Sequence, residues 1–172
     1  VPAVSPTVNE DGSITITGFA VTDSDSGIVT VTINAQSTVT LASTAGLTFL
    51  QGNGTDFLVF SGSPAAVTAA LNGLTYAPTP DDNGTGGLTI TVNDGHAIVA
   101  ATVVVNITPV PDAPVAVADG PYATSEEASV SVTAGNGVLV GATDADGDAL
   151  TAQVVTTTAH GTLVLNPNGS FS

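Results

Sequence analysis

Runs in which Thr or Ser alternates with Val or Ile recur along the chain: SITIT (13–17), IVTVTI (28–33), LTITV (88–92), ATVVVNI (101–107) and SVSVT (129–133). A period of two puts the apolar set on one face of each segment, so each run predicts a β-strand with one face in a core. Turn dipeptides separate the runs: Asn53-Gly54, Asn83-Gly84, Asp94-Gly95, Asn136-Gly137 and Asn168-Gly169. The segment PAAVTAALNGL (64–74) breaks the pattern. It opens with Pro, is rich in Ala and closes on Asn-Gly, which predicts one or two helical turns between strands. The most apolar run, 97–105, is too short to span a membrane and reads as a buried strand. The fold class expected is all-β.

The pattern also repeats. EDGSITI (10–16) corresponds to EEASVSV (126–132), VTDSDSG (21–27) to ATDADGD (142–148), and LQGNGT (50–55) to LNPNGS (165–170). Two related β-sandwich domains follow, 1–110 and 111–172, meeting at the Pro-punctuated linker PVPDAP (109–114). The second has counterparts only for the first half of domain 1. It is therefore expected to be incomplete within this chain and to be completed by further sequence or a neighbouring chain, because half a sandwich leaves strand edges and an apolar face open.

Composition changes the picture at one point. The chain has 172 residues, 42% of them hydrophobic, enough for a packed core. It has 15 Asp and Glu and no Lys or Arg, a net charge of −15. No carboxylate can pair with a Lys or Arg of its own chain, so neutralising cations come from solvent or a partner. Phosphate recognition rests on Lys and Arg, which excludes nucleic acid and anionic membrane surfaces as partners. Cys is absent, which removes disulfides and zinc-thiolate sites.

The acids are not scattered. They collect at presumed domain ends and loops, while strand faces carry Thr and Ser. The densest cluster is DADGD, with Asp144, Asp146 and Asp148 at alternate positions. In an extended strand such neighbours stand ~6.8 Å apart and repel by ~0.6 kcal/mol in water. Calcium takes six to eight oxygens in a flexible shell, which closely spaced Asp side chains and backbone carbonyls supply. The loop is not an EF-hand: its sixth position is Ala149 and its twelfth Val155, where that motif needs Gly and Glu. Asp23 and Asp25 hold the matching place in domain 1. Glu10 and Asp11 match Glu126 and Glu127.

These motifs, in this order, resemble bacterial cadherin-like repeats of giant surface adhesins or extracellular fibres. Domain 1, with VNEDG, VTDSDSG, LTFLQGNGTDFLVFSG, AALNGLTYAP and LTITVNDG, is similar to the proteoglycan-type cadherin-like repeat. Domain 2, with PDAPVAVAD, TDADGDALTA and HGTLVLNPNGSFS, is similar to the tandem-95 or VCBS-like repeat. The resemblance implies tandem immunoglobulin/cadherin-like β-sandwiches with Ca2+ at domain junctions. It implies Glu10, Asp81, Asp82, Asp112, Asp144 and Asp146 as ligands at the junction of domains 1 and 2. Asp23, Asp25 and Asp94 would serve a junction with a preceding domain, and Glu126 and Glu127 one with a following domain. It implies no clear role for Asp148.

Catalysis is not expected. His96 and His160 each lie beside a Gly in a predicted turn, and no G-x-S-x-G nucleophile elbow occurs. The sequons at Asn53, Asn83, Asn106 and Asn168 are available for glycosylation in a host that modifies its surface, and three of them coincide with Asn-Gly turns. The function expected is that of a structural repeat segment, extracellular or at the cell surface, whose partners are neighbouring repeats or subunits joined head to tail. Two alternatives stand beside it: a filament subunit joined by β-strand complementation, and a calcium-dependent module binding a glycan or a protein. Aromatic residues, which floor most sugar clefts, are only 4%.

Overall fold

The computed structural model describes residues 4–25 and 27–172. The chain divides into two compact units, Val1–Val110 and Pro111–Ser172. The first is built from strands β1 (Thr7–Asn9), β2 (Ile14–Ile16), β3 (Val29–Leu41), β4 (Leu47–Gln51) and β5 (Thr55–Gly62), helix α1 (Pro64–Leu71), and strands β6 (Leu74–Ala77), β7 (Gly84–Asn93) and β8 (Ile98–Thr108).

Strand β3 organises the unit. Its sequence, VTVTINAQSTVTL, alternates over its whole length, and every second side chain is buried, from Val29 to Leu41. The main sheet runs β1-β8-β7-β3-β5-β4, with β2 and β6 off this path and β6 paired to β3. Val29–Asn34 pairs with β5, and the pairing shifts register between Asn34 and Val39. Beyond the shift, Thr38–Leu41 pairs with β6, which in turn pairs with β2. One long strand thus serves both layers of a sandwich. The sheet is mixed, because β1 runs parallel to β8 while the other pairings are antiparallel. Val31, Ile33, Val39, Leu58, Phe60, Leu74 and Tyr76 are fully enclosed between the layers. The Tyr76 hydroxyl donates to Ser37 Oγ at 3.1 Å, which satisfies the polar end of a ring that must be buried.

Helix α1 forms where the sequence predicts helical turns. Ser63 caps its N-terminus by accepting from the Ala66 N–H at 3.2 Å, Pro64 opens the first turn, and Asn72 closes it. Val67, Ala70 and Leu71 face the core. On the other side, Asn72 binds the chain that follows β2. Its Oδ1 accepts from Gly18 N (2.7 Å) and Phe19 N (3.1 Å), and its Nδ2 donates to Phe19 O and Thr68 O (both 2.8 Å). Thr68 Oγ1 accepts from Val21 N at 2.9 Å. The helix therefore clamps residues 18–21, just before Asp23 and Asp25.

Two expectations are corrected here. The 97–105 run forms a strand that is buried only in part: Val103 and Val105 enter the core, whereas β8 lies near the sheet edge and Ile98 and Val99 are each 67% exposed. In the second unit, the alternating SVSVT run forms no strand. Only Val132 pairs, in a single bridge to Phe171, and the other bridges are Val115–Thr143 and Leu165–Phe171. Alternation sets which face is apolar but needs a partner strand to become a ladder. No buried core residue comes from Pro111–Ser172. That unit is held by the bridges, by an edge-on contact between the Tyr122 and Phe171 rings (4.8 Å between centroids) and by the turn at 166–170, where Asn166 N donates to Ser170 O and Gly169 N to Asn166 O.

Candidate metal centres

In the first unit the loop after β2 and the β7–β8 turn bring Asp23, Asp25 and Asp94 together, with one carboxylate oxygen from each within 4.8 Å of the others. Local hydrogen bonds fix both loops. Asp25 N donates to Asp23 Oδ1 at 3.0 Å. Asp94 Oδ1 accepts from His96 N (2.7 Å) and Ala97 N (2.6 Å), and Gly95 N donates to Asn93 Oδ1 at 2.7 Å. Gly95 takes a φ of 92°, which an L side chain rarely adopts. The backbone N–H groups of Ala97 and His96 hold the Asp94 carboxyl below the usual carboxylate range. Asp94 thus stays charged in moderate acid and remains available to a cation. An open cleft of about 280 Å³ beside it is lined by Asp23, Asp94, Val21, Thr22 and neighbouring apolar residues.

In the second unit Asp144, Asp146 and Asp148 form a similar group, again within 4.8 Å. Here the strand geometry assumed from alternate spacing gives way to a turn. Asp144 Oδ1 accepts from both Asp146 N and Asp148 N at 3.1 Å, and Gly147 N donates to the Asp144 carbonyl at 3.3 Å. Folding the loop around Asp144 draws Asp148 into the group, a residue to which the resemblance gives no role. Asp112 joins the same loop by donating its N–H to Asp146 Oδ2 at 2.7 Å. The Val115–Thr143 bridge, with N···O distances of 2.8 and 3.0 Å, keeps the linker strand against this loop. A cleft of about 350 Å³ lies alongside, lined by Asp112, Asp144 and Asp148 among apolar residues.

The other expected ligands sit differently. Glu10 is 1% exposed and is engaged within the first unit: Oε1 accepts from Val110 N at 2.6 Å and Oε2 from Asn83 Nδ2 at 3.4 Å. Asp81 and Asp82 occupy the exposed turn after β6, with Asp81 at a φ of 63° and Asp82 N donating to Thr79 O at 3.2 Å. Glu126 and Glu127 lie exposed in a turn of the second unit, Glu127 at a φ of 60°. Among the described residues, none of these last four belongs to a three-acid group.

Each three-aspartate group offers up to six carboxylate oxygens, the chemistry of a hard-cation site. With no Lys or Arg in the chain, such a group can be neutralised by a metal ion but by no Lys or Arg of its own. Residues 110–172 match the cadherin-like domain family. The match supports the cadherin-like resemblance over the segment that carries the DADGD loop, and the cadherin-like domain is a repeat or adhesion-type module. The cadherin-like domain is a non-catalytic structural module. No curated protein and no solved structure matches the chain. No helix among the described residues is long and apolar enough to cross a membrane.

Proposed function

We propose that this chain is a structural repeat segment of an extracellular surface protein or filament, such as an adhesin stalk, matrix or fibre, stiffened by calcium. The observation that carries the reading is the pair of three-aspartate groups in a chain without a single Lys or Arg. Without an ion, each group repels itself. With one, its loops close around a shared charge and lose freedom. Extracellular modules of this kind bind calcium with Kd of about 10⁻⁴–10⁻³ M, matched to calcium outside cells. The test is thermal melting and small-angle scattering of the protein in chelator and in millimolar calcium. The reading predicts a higher Tm and a narrower distribution of dimensions with calcium. Identical melting and scattering in both conditions would refute it.

A second reading has its own support. In the second unit Val115, Val117, Val140, Val154, Val155 and Val164 are exposed, and none of the buried core lies there. An apolar surface of this kind suits completion by strands from further sequence or from a neighbouring chain. Completion by a neighbour makes a filament of short subunits, whereas completion by the same chain makes an array. A denaturing gel of native material separates the two, by many small chains or one very large one.

A further inference from the structure

We infer that the outward face of β5, β3, β7 and β8 is a calcium-independent binding cleft for a neutral, hydroxyl-rich glycan chain. In β3 the odd-numbered residues are buried and the even-numbered ones face out. Strand pairing aligns these outward positions across four strands. Phe57, Asn34, Thr89 and Thr102 form one row, and Val59, Thr32, Thr91 and Ala100 the next. Strands stand about 4.8 Å apart, so each row is about 14 Å wide. The pairing of β3 with β7 stops at Ala35 and Leu88, where β7 carries Gly86 and Gly87. With no side chains there, the surface sinks into an open cleft of about 580 Å³, larger than those beside the aspartate groups. That volume lies in the range of small-ligand sites. A Cβ on Gly87 would collide with the Val103 carbonyl oxygen, so the main chain of β8 keeps this floor bare.

The lining is polar but uncharged. Thr32, Asn34, Gln36, Thr89, Thr91 and Thr102 line the cleft, with Phe57 on the β5 side and Val104 on the β8 side. Among the described residues no Asp or Glu lines it, although the chain carries 15. Thr hydroxyls and the amides of Asn and Gln both donate and accept, as sugar hydroxyls do. Phe57 is half-buried and offers an apolar ring to the C–H face of a sugar. Aromatic residues are only 4% of the chain, and one of them ends this polar row. The array is also stiff. Thr is branched at Cβ and restricted at χ1, and the hydroxyls of Thr89 and Thr102 bond each other at 3.4 Å. Side chains held in this way lose little freedom when a ligand binds.

Charge and main-chain pairing select the occupant. A net charge of −15 repels anions, and the chain has no Lys or Arg to hold one. A cation meets no carboxylate in the cleft. From Thr30 to Asn34, β3 is paired on both sides, so an extended peptide has no free ladder to join there. Side-chain hydroxyls and amides remain as the recognising groups, and these suit an uncharged polyol.

The test is titration of the full chain, in chelator, with cellohexaose, maltohexaose and mannohexaose, followed by amide and side-chain NMR shifts. Hexagalacturonate is the anionic control. Chelator keeps this cleft apart from the calcium reading, which stands or falls separately. The expected result is that at least one neutral sugar gives saturable shifts at Asn34, Gln36, Thr89 and Thr102 at millimolar concentration, and that the anionic sugar gives none. Asn34 is exposed, so Asn34→Ala should leave the fold intact, and Phe57→Leu keeps an apolar side chain while removing the ring. Each should weaken binding by about tenfold. No shift with any of the three neutral sugars, shifts confined to other residues, binding that requires calcium, equal binding of hexagalacturonate, or variants that bind like the parent would each overturn the inference. So would the same shifts appearing as protein concentration alone is raised, which would assign the cleft to a second copy of the chain.

Discussion

Replacing Asn72 with Ala tests how the first aspartate group is positioned without touching any of its members. The side chain makes four hydrogen bonds, one at an exposed position (Gly18 N) and three at half-buried ones (Phe19 N, Phe19 O and Thr68 O). A net ~1 kcal/mol for each half-buried bond, with little from the exposed one, gives a loss of about 3 kcal/mol. Asn72→Asp keeps the two acceptor bonds and forfeits the two half-buried donor bonds, so its loss should be about two-thirds as large, about 2 kcal/mol. The assay is urea unfolding followed by amide signals of the first unit, which avoids averaging over two units that need not unfold together. Residues 18–21 lead directly into Asp23 and Asp25, so the same variant should weaken cation binding at Asp23, Asp25 and Asp94 while leaving the group at Asp144, Asp146 and Asp148 unchanged. A loss under about 0.5 kcal/mol would place Asn72 in the range of an ordinary surface position and refute the reasoning.

Other outcomes follow from the same structure. A Cβ on Gly86 would press on the Tyr76 hydroxyl and stand 2.9 Å from Ile107 Cδ1, so Gly86→Ala should cost about 1–3 kcal/mol in urea unfolding of the first unit. The Asp94 carboxyl titrates below its unfolded value of 3.8, so its contribution to stability is present above that pH and is lost as pH falls through the lower folded value. Ala97 and His96 amide shifts should report this step, and an Asp94→Asn variant should abolish it. The Tyr122 hydroxyl donates to Asp119, which pushes its pKa up to about 12. Absorbance titration of the phenolates should show a late step that Tyr122→Phe removes and Asp119→Asn moves to lower pH.

Much of the first unit was legible in the sequence because its signals are local. The alternation of β3, the Pro64 start and Asn72-Gly73 end of α1, and the Asn-Gly turns each specify their own geometry within a few residues. The position of β8 was not legible, because 97–105 reads the same whether its neighbours cover one edge or two, and the pairing partners are distant in sequence. The SVSVT run failed as a strand for a related reason: the bridge at Val132 needs Phe171, and nothing local supplies a second partner. In the acidic loops, residue types pointed to cation chemistry, but strand spacing was the wrong geometry. A turn centred on the Asp144 carboxylate gathers Asp148, which alternate spacing alone does not reveal. Glu10 illustrates another limit. Nothing in its place near the start of the domain reveals that its carboxylate also accepts from Val110 N and Asn83 Nδ2.

The central claim is that the two aspartate groups bind calcium, and calorimetric titration of the metal-free protein tests it most directly. The account predicts binding with Kd of about 10⁻⁴–10⁻³ M, much weaker for magnesium, with Asp23→Asn and Asp144→Asn each removing a separate part of the signal. Absence of calcium binding at millimolar concentration, or binding that both variants leave intact, would contradict it.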